Sequence, residues 1–223
     1  MISHHHRTVF VHVPKCGGQS IEQAFLADLG LNWEMRAPLL LRPNGDPRVG
    51  PPRLAHLLAR DYARFHYLSN ELYQSYYSFS ILRDPVARIV SLYNYMKLQD
   101  SNRRPMDFDT FLFEWLPKQL EWSDADSVQQ NSASSSFFFV RPQADFVTDV
   151  DGTVMVKDLF LLEHIDSAFP VIQAKCQLHS ALEHRNKSVT RISRSDLRED
   201  HIALIHTAYA ADFSLISSCG AVA

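Results

Sequence analysis

The segment Pro14-Lys15-Cys16-Gly17-Gly18-Gln19-Ser20 gathers the residue types that an anion needs. A glycine pair lets the backbone fold tightly with its amides turned inward, and the start of a following helix adds roughly half a positive charge. Lys15 brings a mobile ammonium to the same place, and Ser20 a hydroxyl. Phosphate or phosphosulfate suits that set of donors. An ordinary tight turn with an exposed lysine has the same composition, so the loop alone supports only anion binding. It is not the Walker loop GxxxxGK[ST], because Lys15 precedes the glycines, and there is no GxGxxG. Both points weigh against an ATP-dependent kinase and a dinucleotide enzyme.

A second set of donors runs from Arg83-Asp84-Pro85 to Ser91. A guanidinium forks onto phosphate oxygens, and a serine hydroxyl about two helical turns on adds another donor. Together they could hold a second phosphate, apart from the first. The plainer alternative pairs Arg83 with an acidic residue and leaves Ser91 in solvent. Arg88 reads as a solvated or structural cation rather than a ligand.

In this order, the two segments resemble the 5′-phosphosulfate loop (PKxGGxS) and the 3′-phosphate motif (RDPxxRxxSxY) of sulfotransferases. The resemblance is closest to the branch that includes carbohydrate 2-O-sulfotransferases and small bacterial relatives. RPQADF at 141–146, LLEH at 161–164, NKS at 186–188 and YAADF at 209–213 resemble that branch too. The likeness thus spans nearly the whole chain, although only the two anion motifs are specific. Cys16 stands where threonine is commoner, and Gln19 where threonine or serine is frequent. Neither departure removes an amide or the lysine.

The resemblance implies a donor, 3′-phosphoadenosine 5′-phosphosulfate (PAPS), a product, the 3′,5′-bisphosphate PAP, and no metal. It implies that Lys15 contacts the bridging oxygen, while the amides of Cys16, Gly17, Gly18, Gln19 and Ser20 hold the neighbouring oxygens. Arg83 and Ser91 then bind the 3′-phosphate. The family's catalytic base lies between the two motifs, which makes His56 (AHLLARDY) and His66 (ARFHYLSN) the candidates. His56 comes first, since its context resembles the HLT-like helix start of the bacterial relatives. His12 reads as strand packing, and Cys16 as a nucleophile is the less favoured reading. Asn186, Ser188, Arg191 and Arg194 are candidates for a loop that closes over the nucleotide. The branch favours a sugar hydroxyl as acceptor, with a lipid, polyketide or other alcohol left open. A P-loop small-molecule kinase and a non-catalytic nucleotide-binding module are the competing readings.

Elements must position these residues. Thr8 to Val13 reads as a strand buried on both faces. A helix opens at Ser20, carries Ile21, Ala24, Phe25 and Leu29 on one face, and stops at Gly30. Residues 42–53 are a Pro/Gly loop, and Leu54 to Phe65 is compatible with a helix carrying His56. Ser78 to Leu82 predicts a strand, followed by a helix with Asp84 as N-cap, Pro85 at its first position and the stripe Ile89, Leu92, Tyr93 and Met96. Another helix starts at Phe108. The polar stretch 123–136 reads as a mobile loop that, with Phe137 to Phe139, could border the acceptor. Phe137 to Val140 and Phe146 to Val156 predict strands, the latter turning at Asp151-Gly152. Leu159 to Leu162 predicts a further strand, then a helix over 165–177. Asp196 and Glu199 resemble the capping box of a last helix through Ile202, Ile205, Tyr209 and Ile216. The alternation predicts an α/β, P-loop-like three-layer fold with a mostly parallel central sheet flanked by helices.

The bulk numbers fit one domain over 1–223, with 1–7, including His4, His5 and His6, as a flexible tail. The chain has 223 residues, 46% of them apolar, enough for one sizeable core. A formal net charge of −3 argues against a nucleic-acid partner. Cys16, Cys176 and Cys219 show no CxxC spacing, which fits a reducing compartment and no disulfide framework. No run approaches the roughly 18 apolar residues of a membrane span, and the motif loop begins too early to leave room for a signal peptide. The expectation is a cytoplasmic protein without a membrane partner; oligomeric state leaves no mark in the sequence.

Overall fold

The computed structural model describes residues 1–99, 106–121, 137–183 and 192–219. Strand β1 (Ile2–Ser3) turns through residues 4–7 and pairs antiparallel with β2 (Thr8–Val11). Helix α1 (Gly18–Asp28) follows the glycine loop. Two short helices, α2 (Asp61–Arg64) and α3 (Asn70–Ser75), lead into β3 (Tyr77–Leu82) and the long helix α4 (Pro85–Gln99). A π turn over Thr110–Trp115 runs into α5 (Leu116–Leu120). After α6 (Phe137–Val140) and α7 (Gln143–Val147) come β4 (Asp158–Leu161), α8 (Ile165–Cys176), α9 (Glu199–Ala208) and α10 (Ala210–Cys219).

The sheet order is β1-β2-β3-β4, with β2, β3 and β4 parallel. This is a mixed α/β architecture with a four-stranded, mostly parallel sheet flanked by helices. The described residues form two compact units, 1–82 with 143–183 and 83–142 with 192–219. The first holds the whole sheet. Every residue of β2 is buried, as a strand covered on both faces requires. Phe10 stacks on Phe79 across the ladder at 4.9 Å, and the buried Ser80 hydroxyl donates to the Val11 carbonyl at 2.7 Å. No polar group is thereby stranded at that point of the core.

The second unit is helical. Its core joins Val86, Ile89, Leu92 and Tyr93 of α4 to Phe111, Leu112, Leu116, Val140, Ile205 and Tyr209. The Asp84 carboxylate accepts the Ala87 amide at 2.8 Å, so the expected N-cap ahead of Pro85 forms.

Several expectations from the sequence are corrected. Residues 1–7 are not a flexible tail: Met1, Ile2 and Ser3 are buried, Ile2 pairs with Val9, and the His6 ring bonds Ser3 and Asp28. Leu54 to Phe65 is not one helix. Leu57, Leu58 and Ala59 are buried in succession, which one helix face cannot achieve, and the Ala59 amide is drawn to the Phe146 carbonyl at 2.7 Å. A short 3₁₀ turn, Leu54–His56, precedes them and α2 follows. Phe137 to Val140 is helical despite its β-forming residues, because an i,i+3 spacing puts Phe137 and Val140 into the core together. Phe146 to Val156 is not a strand pair; α7 takes its start, and only the bridge Thr148↔Val154 spans the turn at Asp151-Gly152. The last helix breaks at Tyr209, whose hydroxyl donates to the Val140 carbonyl at 2.7 Å. The expected box does not cap it: Asp196 pairs with Ser193 around a separate 3₁₀ turn, Arg194–Asp196, and Glu199 is the first residue of α9. The 123–136 stretch lies outside the described residues.

Candidate active site

In the first unit, β2 delivers the chain into the loop and α1 receives it. Lys15 adopts a left-handed backbone, φ 68°, a conformation that costs a residue with a Cβ about 1–2 kcal/mol. Strain of this kind collects at functional sites. Gly17 is also left-handed, φ 76°, at the N-cap of α1, and offers no side chain to cap it. A Cβ there would stand 2.6 Å from Leu162 Cδ1, and one on Gly18 would stand 2.2 Å from His12 Cδ2. Glycine is favoured at the first place by conformation, since the Leu162 tip can yield, and required at the second by contact with the His12 ring. No acidic residue occupies the first turn of α1, so no carboxylate of that turn opposes an anion. Cys16 is buried and its thiol donates to Gln143 Oε1 at 3.2 Å and to the Pro14 carbonyl at 3.6 Å. Those bonds make it a fastener between the loop and α7.

Beside the loop sit three ionisable residues. His12 Nδ1 lies 2.6 Å from Glu22 Oε1, and both side chains are buried. The His12 ring also faces the His56 ring, with centroids 4.2 Å apart. His56 Nδ1 is 2.9 Å from the His12 backbone oxygen. A carbonyl only accepts, so Nδ1 carries the proton and Nε2 keeps its lone pair. Desolvation, and then the nearby His12, hold the His56 pKa well below the usual imidazole value. The ring is therefore neutral near pH 7, as a proton acceptor must be.

The second unit holds the other motif. Arg83 and Ser91 are half-buried, the latter about two turns into α4. Arg194 donates to Asp84 Oδ1 at 3.0 Å, which places a second guanidinium next in space to the residue after Arg83. Arg88 is a structural cation and not a solvated one. It is 1% exposed, donates to the Phe139 and Arg141 carbonyls at 3.1 and 3.0 Å, and lies 4.0 Å from buried Asp212.

Residues 1–132, which contain both anion motifs, match the sulfotransferase family. The chain belongs to that family. No curated protein and no solved structure matches it. Membership makes it a transferase of a sulfuryl group.

Within this sulfotransferase, the structure brings Gly18, His12, Glu22 and His56 into one cluster at the start of α1. It does not bring His66 there. His66 is exposed in a left-handed turn after α2, φ 60°. Arg191, Asn186 and Ser188 lie outside the described residues. Sequence reasoning missed the His12–Glu22 pair, reading His12 as strand packing. The available signal was an acidic residue on the inward face of α1, one turn after the loop, where an apolar one is expected. It also left unassigned the role of Gln143, whose RPQADF segment supplies the loop's fastener.

Proposed function

We propose that this protein transfers the sulfuryl group of PAPS to an acceptor hydroxyl, that of a carbohydrate in the first instance, with His56 as the base. The observation that carries the proposal is the conjunction of the strained Lys15–Gly17 loop with a neutral His56 whose tautomer puts its proton on Nδ1 and its basic lone pair on Nε2. In this reading the acceptor oxygen attacks sulfur and its proton passes to His56 Nε2. The bond from sulfur to the bridging oxygen breaks, and its electron pair leaves on the 5′-phosphate of PAP. Lys15 and the α1 dipole answer the charge that develops there, a type of contact whose loss costs ~10²–10³ in rate. Arg83 and Ser91 bind the 3′-phosphate, while Arg191 and Arg194 belong to the separate segment that closes over the nucleotide. The residues supporting this assignment of the 3′-phosphate are those of the sequence motif itself.

Thermal stability tests the donor. PAP at 100 times its dissociation constant should stabilise the protein by about 2.7 kcal/mol. Stabilisation by ATP with magnesium and none by PAP defeats the proposal in favour of a kinase. Radiolabelled PAPS with a panel of sugar and non-sugar alcohols then tests transfer and ranks acceptors. Binding of PAP without transfer to any of them favours a non-catalytic nucleotide-binding module.

A further inference from the structure

The first unit carries a polar cavity, of about 360 Å³, where β2 and β3 begin. The anion loop follows the other end of β2, so the cavity and the loop occupy opposite ends of a parallel pair. Five basic side chains line it: His5, His6, Arg7, Lys175 and His179. Asp28 is the one carboxylate of the lining, and its charge is already answered. Its Oδ2 is 2.9 Å from His6 Nε2, and Oδ1 accepts the His179 and Ser180 amides at 2.7 and 2.9 Å. Desolvation opposes ionisation of Asp28, but the bonds from His6 and the two amides outweigh it and hold the carboxyl below its usual range.

The two permanent cations are not similarly satisfied. Arg7 lies over the Tyr76 ring at 5.6 Å and Lys175 over the Tyr77 ring at 5.8 Å. Neither side chain has a carboxylate partner among the described residues. The Tyr77 hydroxyl is committed to Asp158, at 2.6 Å. The Cys176 thiol is pushed up to about 11 by burial and so adds no thiolate. Among the described residues no group of His, Cys, Asp and Glu is placed to hold a metal ion. The surplus is cationic, and the volume is at the lower end of small-molecule pockets, more than a bare ion fills.

We propose that this cavity binds a small molecule bearing one tetrahedral oxyanion ester, a phosphate or a sulfate monoester, clamped by Arg7 and Lys175. A forked guanidinium and a point-charge ammonium are complementary holds on such a head group, while the Tyr77 and His5 rings offer flat walls to the rest of the molecule. The site is separate from the donor loop and stands whether or not the PAPS assignment does.

Amide chemical shifts locate binding by residue. The isotope-labelled protein is titrated with phenyl phosphate, phenyl sulfate and inorganic sulfate at constant ionic strength in chloride, with and without saturating PAP. The Arg7, Gln177, His179 and Ser180 amides should shift saturably with one of the esters, unaffected by PAP. The ester that binds more tightly identifies the head group. The Arg7→Gln/Lys175→Gln variant changes only exposed side chains and should weaken this binding at least tenfold while its remaining spectrum is retained. Shifts confined to Lys15–Ser20, or equal affinity in the variant, overturn the proposal. Inorganic sulfate binding as tightly as either ester overturns the claim that a small molecule, and not a bare ion, is the ligand.

Discussion

His56 meets two conditions of a base by separate means: the His12 carbonyl fixes the Nδ1 proton, and burial keeps the ring neutral. Replacing His56 with Ala should lower turnover ~10²–10⁴-fold and leave PAP affinity unchanged, as measured by steady-state rates and calorimetry. Because the His56 pKa is lowered, the acid limb of kcat/KM should fall below the ordinary imidazole value of about 6.5. A limb at or above that value argues against His56. Gly18 is constrained by its neighbour and not by its backbone. The His12 ring cannot withdraw easily while Glu22 holds it at 2.6 Å. Gly18→Ala should therefore destabilise the protein by about 1–3 kcal/mol through overpacking, whereas the open surroundings of Gly30 leave only backbone strain for Gly30→Ala. Urea unfolding of the two variants distinguishes these causes. The glycine pair was legible in the sequence as a loop; that a histidine fills the space above Gly18 was not.

At the scale of elements, Arg88 ties α4 to the segment after α6 by donating to two carbonyls that helix α6 leaves at its end. Removing one partner of a buried charged pair typically costs 3–5 kcal/mol, because the other remains desolvated. Arg88→Ala, which leaves Asp212 buried, should reach that range in denaturant titration. Arg88→Lys should recover only part of it, since an ammonium lacks the fork. Asp84→Ala should cost about 1 kcal/mol through the lost N-cap, read as a lower Tm. The strand–loop–helix start, β3, the Asp84 cap, β4 and α8 could all be read from local pattern, because each has its own periodicity or cap. Phe137–Val140 and the Phe146 segment could not. Their β-forming residues are overruled by partners distant in sequence: the core around Val140, Arg88 at the carbonyls, and Ala59 at Phe146.

For the whole molecule, stability and pH are linked through His56. Its folded pKa is lower than its unfolded one, so the unfolded chain binds more protons as pH falls below about 6.5. Above that pH this residue contributes no slope. Below it, stability should decline as pH falls toward the lowered folded value. Urea midpoints at pH 8 and pH 5.5 test the sign, and His56→Ala should flatten the decline. Asp28 acts in the same direction in a more acidic window, since its depressed carboxyl favours the folded state until it is protonated. Among the described residues no helix is long and apolar enough to cross a membrane.

The sequence by itself determined the glycine loop, the Arg83–Ser91 motif and through them the family, because those patterns reside in contiguous residues with a fixed spacing. The resemblance also offered His56 and His66 as candidates for the base. Only the tertiary structure decided between their settings, since burial, tautomer and the His12–Glu22 pair arise from residues on separate elements. It likewise turned residues 1–7 from an expected tail into a strand and one wall of a cationic cavity. That cavity is built from both ends of the first unit's chain, and no local pattern records it.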